Sequence, residues 1–454
     1  MKLLTPEESM YTCVRCGACR GVCPTLNITG READGPRGRV LMARSVLSGD
    51  IPVNQEIKDQ LDRCLLCSAC VDACPIDVQV PDIVMLAKEQ IAAATDAGSY
   101  HVRKSSLDTT QMDLKKPSKP IRNIKNFVFE KVLADQQNLN KAGNLLWMYQ
   151  KSGLQKLTRA IGILKFFPEQ MQQMEKIMPE IKPPSKRKPH PEYIPRVNEQ
   201  KESKGRVAFF QGCIMDVMFR ETNDNSIKLL SKTGFDVVTP QAQKCCGALH
   251  HHSGKKEKTI ELAKANIEAF EAADVDYIIT NAGGCGAALA EYGDLFREEP
   301  NWLERAKGFS GKIRDISEII HEKGELPEMA GRGERVTYQP SCHLQYVMKV
   351  KDAPAGLVKK VTGAEYVNLP EKKYCCGSAG IYNMLQPELA NEILDKKMEK
   401  VKETDCAVLV TANPGCYLQM KLGIHREGME KAIETKHVVD YLVESIERAE
   451  AQNT

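Results

Sequence analysis

Short apolar runs alternate with amphipathic stretches along the second half of the chain. β-branched and aromatic residues dominate segments 206–212, 277–280, 335–341 and 407–411, which predicts strands. Between these segments apolar residues recur at helical spacing, as in 255–273. Because strands and helices alternate, we expect parallel sheets whose strands are connected by helices.

The first half of the chain shows helical spacing instead. Segments 37–47 and 55–61 predict two short helices, and 121–178 carries a longer helical pattern. The apolar residues of that longer pattern include Leu145, Leu146, Met148, Leu154, Leu157, Ile161, Ile163 and Leu164. We expect this insert to pack across the two halves of the chain; the alternative is an amphipathic surface for a membrane, a quinone or a partner.

A basic, proline-rich segment follows at 183–191. Its prolines predict a stiff tether exposed to solvent. Its basic residues would also suit nucleic acid. The whole chain has 63 basic and 60 acidic residues, and its net charge of +3 favours no class of partner. We therefore expect a tether and no nucleic-acid partner.

Length and composition describe an ordinary globular chain with one anomaly. The 454 residues correspond to about three domains, with 42% apolar and 27% charged residues. The sequence shows neither a secretory signal nor an apolar run long enough to span a membrane. We expect a cytoplasmic protein, with peripheral association at the inner face of the membrane as an option. The anomaly is 17 cysteines, which in a reducing compartment indicate metal or redox chemistry.

Eight of these cysteines form two runs with the same spacing, C-x2-C-x2-C-x3-C-P. The runs are Cys13, Cys16, Cys19 and Cys23, then Cys64, Cys67, Cys70 and Cys74. Two-residue gaps let three thiolates surround one face of a cubane, and the fourth ligand comes from the other run. The spacing therefore predicts one 4Fe–4S cluster on Cys13, Cys16, Cys19 and Cys74, and another on Cys64, Cys67, Cys70 and Cys23. Structural zinc is the alternative, although zinc sites do not need a third cysteine at this interval.

Two arginines lie just before the first predicted helix, in Gly35-Pro36-Arg37-Gly38-Arg39. One interpretation is a local turn followed by a helix start, with proline near the first helical position. The other is that Arg37 and Arg39 face an anionic cluster, or a partner, and tune the reduction potential.

Eight further cysteines reveal an internal duplication. Cys213, Cys245, Cys246 and Cys285 recur as Cys342, Cys375, Cys376 and Cys416, at offsets of 129, 130, 130 and 131 residues. In both copies the central pair is followed by glycine. Each group follows a predicted strand, and ligands of open α/β sheets gather beyond the carboxyl ends of the strands. Helix N-termini point to the same edge and favour thiolates, so each set of four should form a metal site.

These motifs, in this order, resemble the glycolate oxidase iron–sulfur subunit family. The resemblance implies a multidomain chain with an α-helical ferredoxin domain in 1–95, a helical insert and linker in 96–204, and tandem α/β "CCG" domains in 205–330 and 331–454. It implies two 4Fe–4S clusters in the ferredoxin domain and one or two more in the CCG domains. Its implied function is electron transfer from a flavoprotein that oxidises glycolate or lactate to a quinone or another carrier. The implied partners are an FAD-binding dehydrogenase subunit and an electron-transfer flavoprotein.

One departure from a related family bears on the chemistry. Heterodisulfide reductases, which share the CCG pair, have a fifth cysteine where this chain has Ala282 and Asn413. Four thiolates suit an ordinary cubane, so a catalytic subunit that reduces a disulfide or quinone is the alternative function. A further alternative leaves the CCG domains without clusters. We find no dinucleotide-binding or P-loop motif, so we expect substrate oxidation on the flavin subunit.

The remaining cysteine and four histidines have less distinctive surroundings. Cys406 opens a predicted strand, where we expect a buried structural thiol. His250, His251 and His252 follow the first cysteine pair, and His343 follows Cys342 directly. They either ligate iron or move protons, or they make only polar contacts at a helix start.

Overall fold

The N-terminal domain is a set of short helices around its own apolar core. The computed structural model describes residues 4–97, 127, 131–371 and 375–453. Helices of this domain are Pro6–Thr12, Pro24–Thr29, Pro36–Ser48, Gln55–Asp62, Ala69–Asp72 and Val80–Ala97. Thr5 and Glu8 form a capping box at the first helix, and Asn54 caps the fourth. The helices predicted at 37–47 and 55–61 are thus confirmed.

The helical insert is described from residue 131, apart from residue 127; the rest of the predicted pattern at 121–178 lies outside the described residues. Its α-helices are Gln136–Lys151, Leu154–Ala160 and Glu169–Ile177. Leu139 joins the core of repeat 1, and Ile177 joins a core cluster of repeat 2. The insert therefore packs against both repeats.

The apolar residues that predicted this packing do something else. Six of the eight, namely Leu145, Met148, Leu154, Leu157, Ile161 and Ile163, are exposed. The expectation that they pack across the two halves is wrong. Periodicity identifies an apolar helix face, but it does not say whether that face meets the core.

The basic segment is not a freely solvated tether. Arg187 is buried, and its guanidinium donates to the Lys182 carbonyl at 2.9 Å. The His190 imidazole lies 2.7 Å from the Asp224 carboxylate. Next along the chain, Tyr193–Ile194 pairs as an antiparallel edge strand with the sheet of repeat 1. The segment is therefore fastened to repeat 1 by side chain and backbone.

The two repeats form sheets with the same strand order. Within the described residues the strands are β1 (Tyr193–Ile194), β2 (Arg206–Phe210), β3 (Asp236–Val238), β4 (Tyr277–Thr280), β5 (Ile313–Asp315), β6 (Arg335–Gln339), β7 (Glu365–Tyr366), β8 (Val408–Thr411) and β9 (Glu434–His437). The sheet of repeat 1 runs β1-β3-β2-β4-β5, and that of repeat 2 runs β7-β6-β8-β9. All pairs except β1–β3 are parallel, which confirms the predicted parallel sheets and duplication.

Helices cover both sheets. In repeat 1 they are Cys213–Met218, Arg220–Lys232, Ala248–His252, Lys256–Glu271, Gly283–Ala290, Tyr292–Leu295, Pro300–Gly311 and Ile316–Lys323. In repeat 2 they are Cys342–Tyr346, Ala353–Val358, Tyr382–Leu385, Pro387–Lys402, Pro414–Arg426 and Val438–Gln452. One core cluster contains residues of both repeats, including Phe209 and Tyr338. Cys406 is buried in the core of repeat 2, as predicted.

Candidate metal centres

The first ferredoxin quartet is Cys13, Cys16, Cys19 and Cys74. These four cysteines line one cavity beside the loop that follows the first helix. In that loop Arg15 and Gly17 have φ of +58° and +88°, so the chain coils tightly between the cysteines. The Val78 amide donates to Cys74 Sγ at 3.4 Å.

The second ferredoxin quartet is Cys23, Cys64, Cys67 and Cys70, which line a second cavity. Its loop repeats the geometry of the first: Leu66 and Ser68 have φ of +52° and +60°, 51 residues after Arg15 and Gly17. Burial raises the pKa of the Cys67 and Cys70 thiols well above the ordinary value. Cys70 lines both cavities, so the two quartets are neighbours.

One arginine accompanies each ferredoxin quartet. Arg37 lines the first cavity and donates to the Arg15 carbonyl. Arg39 is only 2% exposed, and its guanidinium lies 3.9 Å from Cys23 Sγ and 3.0 Å from Thr25 Oγ1. A buried cation beside thiolates favours the interpretation that these arginines face the clusters over that of a simple helix start.

The first CCG quartet is Cys213, Cys245, Cys246 and Cys285. Cys213 is the first residue of a helix after β2, and Cys285 lies in the first turn of the helix after β4. Cys213 Sγ lies 3.4 Å from Cys245 Sγ. This contact and burial raise the pKa of Cys213 well above the ordinary value. The cysteines gather beyond the carboxyl ends of the strands, as parallel-sheet topology predicts.

The second CCG quartet is Cys342, Cys375, Cys376 and Cys416. Cys342 starts the helix after β6, and Cys416 lies in the first turn of the helix after β8. The Gly377 amide donates to Cys375 Sγ at 3.4 Å. Hydrogen bonding to Cys375 and burial raise the pKa of Cys342 well above the ordinary value.

The donor chemistry of all four quartets fits iron–sulfur clusters. Buried thiols that crowd one another resist ionisation, and the positive charge of bound iron offsets that cost. Backbone amides and cations face sulfurs, as cluster sites require. Within the described residues, no three His, Cys, Asp or Glu side chains are placed to hold a single metal ion. The fit therefore rests on shared cavities, contacts and charge.

The second ferredoxin quartet meets the second CCG quartet across the domain boundary. Among charged neighbours, Cys342 has the largest effect on Cys67. Cys67, Cys342 and Cys375 belong to one apolar cluster that also contains Tyr346 and Tyr382. Hydrogen bonds fix the contact: the His343 Nε2 lies 2.9 Å from the Leu66 carbonyl, and the Tyr382 hydroxyl donates to the Arg63 carbonyl.

Asn413 joins the two CCG quartets. Its side-chain oxygen accepts from the Gly284 amide at 3.0 Å, and its Nδ2 donates to Cys416 Sγ at 3.6 Å. Gly284 immediately precedes Cys285 of the first CCG quartet. Asn413 and Ala282 occupy the two positions where a heterodisulfide reductase would have a fifth cysteine. Here one of them is a hydrogen-bonding residue, and the other is a buried methyl group.

The histidines line a cleft between these domains. His251, His252 and His343 face it together with Ser68 of the ferredoxin loop. The His252 and His343 ring centroids are 5.7 Å apart. Burial lowers the pKa of His343, which leaves the ring neutral near pH 7. Its Nε2 hydrogen bond makes it a contact between domains, and metal ligation by the four histidines stays a prediction.

One charged residue near the quartets escaped the sequence reasoning. Lys397 is fully buried in repeat 2, and the charges that most favour its protonated form are Cys376, Cys375 and Cys416. Burial lowers its pKa to about 8, with the sulfurs acting in the opposite direction. The available signal was a lysine on the apolar face of the helix 391–402, where the first repeat has Asn266.

Together, the two-cluster ferredoxin fold and the duplicated CCG domains define an iron–sulfur protein. The 4Fe–4S dicluster domain family matches residues 9–78, and the cysteine-rich CCG domain family matches 207–290 and 336–421. The linker region of the glycolate oxidase iron–sulfur subunit matches 120–178.

Full-length relatives identify the family. A probable glycolate oxidase iron–sulfur subunit of Bacillus subtilis is 40% identical over 97% of this chain and 94% of its own length. The glycolate oxidase iron–sulfur subunit of Escherichia coli is 28% identical over 91% of this chain and 90% of its own. Lactate utilization protein A of Oceanobacillus iheyensis is 31% identical over 52% of this chain and 96% of its own. The chain belongs to the glycolate oxidase iron–sulfur subunit family.

Family membership establishes the general function and cofactor. The chain is an iron–sulfur electron-transfer subunit of hydroxyacid oxidation, with 4Fe–4S clusters as its cofactors. The family implies a catalytic flavoprotein as its partner. Among the helices that the structure describes, none combines the length and apolarity needed to cross a membrane.

Proposed function

We propose that each quartet holds one 4Fe–4S cluster, and that the chain carries electrons from an FAD-containing dehydrogenase subunit to a quinone or another carrier. The substrate class is a 2-hydroxy acid of the glycolate or lactate type. Its oxidation to a 2-oxo acid releases two electrons, which a flavin accepts as a pair and passes on singly. An electron-transfer flavoprotein is a further partner in this proposal.

A bound 4Fe–4S cluster supplies a one-electron redox centre. The chain's own residues hold it, exclude water from it and set the charge around it. Cys67 and Cys70 are buried, Arg39 adds a buried positive charge, and Val78 and Gly377 aim amides at sulfurs. These are the levers by which a protein tunes the potential of a cluster.

The observation that carries the proposal is the contact between the two domains. Cys67 of the ferredoxin domain and Cys342 of repeat 2 lie in one apolar cluster, although 274 residues separate them in the chain. Electron transfer needs closely spaced centres, and a dry contact between two ligand sets supports a continuous line of them. No observation favours the disulfide-reducing alternative, because Ala282 and Asn413 supply no fifth thiolate.

Anaerobic iron and sulfide analysis with EPR tests the assignment. We expect about sixteen irons per chain, about four per quartet. Cys376→Ser and Cys246→Ser should each remove about four irons, whereas Cys406→Ser, the matched buried cysteine outside the quartets, should remove none. About eight irons in the wild-type chain, unchanged in the first two variants, would restrict clusters to the ferredoxin domain and contradict the proposal. Copurification from the native source should bring an FAD-containing subunit.

The exposed face of the helical insert supports peripheral docking on an anionic membrane. Leu157, Ile161 and Phe166 are 53%, 59% and 91% exposed. Residues 136–168 contain five Lys or Arg and no Asp or Glu. Apolar side chains flanked by cations complement acyl chains and anionic headgroups, so the face suits a lipid surface, where quinones reside.

Vesicle flotation tests the docking. The chain should float with vesicles that contain an anionic phospholipid and much less with vesicles of phosphatidylcholine alone. Phe166→Ser with Leu157→Ser should abolish flotation while iron content stays unchanged. Leu385→Ser is the matched control, because Leu385 is 60% exposed but belongs to repeat 2. Equal flotation of the double variant and the wild-type chain would refute membrane docking and leave the electron-transfer proposal untouched.

A further inference from the structure

Lys397 is a buried cation with no protein acceptor. It lies on the inner face of helix Pro387–Lys402 and is 0% exposed. Among the described residues its ammonium has no hydrogen-bond partner. A charge in that position is costly unless an anion compensates it. The charges most favourable to it are three sulfurs of the second CCG quartet; Glu371 comes after them and already pairs with Lys400.

The first repeat shows what a neutral residue does at the same place. A Cβ on Gly247 would contact Thr259, and a Cβ on Gly377 would contact Ala390, so Thr259 and Ala390 correspond. Seven residues further along, Asn266 corresponds to Lys397.

Asn266 is fully satisfied by its surroundings. Its Oδ1 accepts from the Lys244 amide, and its Nδ2 donates to the Cys245 carbonyl and the Tyr292 hydroxyl. The first repeat therefore braces its cysteine loop with a neutral amide. The second repeat places an unpaired ammonium at the equivalent position.

We propose that Lys397 is a counter-charge for the cluster of the second CCG quartet, which makes that cluster easier to reduce than the cluster of the first. The proposal rests on the assignment of clusters to the CCG quartets. Reduction adds one negative charge to an already anionic group, and a cation within the same low-dielectric region stabilises the added charge. Lys397 is thus a positioning residue for electrons, and it needs no contact with substrate.

An EPR-monitored redox titration of the full-length chain, kept anaerobic, tests this role. Cys376→Ser identifies the signal of the second CCG quartet, because that signal should disappear with about four irons. In Lys397→Met, at a fixed potential, the ratio of reduced to oxidised cluster in that signal should fall at least about tenfold, a shift of about 59 mV for a one-electron couple. The other signals should not move.

Two further variants separate charge from packing. Lys402→Met removes a cation from the same helix, but Lys402 is exposed and pairs with Glu427, so the potential should stay unchanged. Lys397→Arg keeps the charge and should keep the potential near that of the wild-type chain. Loss of the signal in Lys397→Met that Lys397→Arg restores also supports the proposal.

Three results would overturn it. One is an unshifted signal in Lys397→Met, and another is an equal shift in Lys402→Met. The third is loss of the signal in both Lys397→Met and Lys397→Arg, which would mean that packing and not charge is required. A wild-type chain with no signal that depends on Cys376 would also end the proposal, while electron transfer by the ferredoxin domain would still stand.

Discussion

Arg39 should raise the reduction potential of the cluster that we assign to the second ferredoxin quartet. Its guanidinium is 2% exposed and lies between Cys23, Thr25 and the carbonyl of Gln60. Substitution by glutamine removes the positive charge and retains a side chain that can donate hydrogen bonds. Because reduction makes the cluster more negative, the loss of this cation should lower the potential.

The size of the effect follows from the distance between the Arg39 Nη1 and Cys23 Sγ, 3.9 Å. Two unit charges at that distance interact by about 4 kcal/mol at an effective dielectric constant of about 20. The added electron is shared across the cluster, so about a quarter of this energy, about 1 kcal/mol, is a lower bound. At about 1.4 kcal/mol per 59 mV for a one-electron couple, the shift lies between about 40 and about 170 mV.

Redox titration followed by EPR measures the shift in Arg39→Gln against two controls. Arg44→Gln removes a cation from the same helix, where Arg44 lies over the Tyr11 ring, and should leave every potential unchanged. Arg39→Lys keeps the charge and should shift the potential less than Arg39→Gln. The reasoning is refuted if Arg39→Gln retains its full iron content and every potential agrees with the wild-type value to within about 20 mV, half the lower bound.

Three further predictions concern the repeats. Gly377→Ala should remove about four irons, because Gly377 has φ of +87° and a Cβ there would lie 2.6 Å from the Ala390 carbonyl oxygen; Gly428→Ala, with φ of +68° and open space, should keep them, and retained iron in both variants would contradict this. Asn413→Ala should lower the free energy of unfolding by about 1–3 kcal/mol, measured by urea denaturation, because it leaves the Gly284 amide without its acceptor; an unchanged midpoint would argue against that bond. Burial raises the pKa of Asp440 to about 6 from 3.8, so the folded state binds this proton more tightly and stability should fall by about 3 kcal/mol as pH rises from about 4 to about 6. Asp440→Asn should remove that part of the slope in urea unfolding of the cluster-free chain, and parallel slopes for both proteins would contradict the assignment.

Local features of the fold and site were predictable because they depend on short stretches of chain. Cysteine spacing predicted which thiols share a cavity, and the cavities at Cys13 and Cys64 have those neighbours. The constant offset between the CCG motifs predicted the duplication, and the two sheets share one strand order. Alternating strand and helix patterns leave few other arrangements for a parallel sheet.

Features that depend on packing between distant segments were not predictable. Nothing in the periodicity of 121–178 distinguishes Leu139, which packs into repeat 1, from Leu157, which faces outward. The contact between Cys67 and Cys342 depends on how two domains dock, and no local pattern encodes it. Lys397 interrupts an apolar helix face, and a single charge there is normally placed in solvent until the packing is known.

The spatial order of the quartets differs from their order in the chain. Cys70 joins the two ferredoxin quartets, Cys67 meets Cys342 of the second CCG quartet, and Asn413 connects that quartet to the first. Repeat 2 therefore lies between the ferredoxin domain and repeat 1, although repeat 1 precedes it in sequence. A duplicated domain begins with two equivalent sites, and this arrangement gives them unequal positions. A positive charge at Lys397 in the intermediate position, opposite a neutral Asn266 in the terminal one, is the difference we would expect if the two copies have diverged to hold electrons at different potentials.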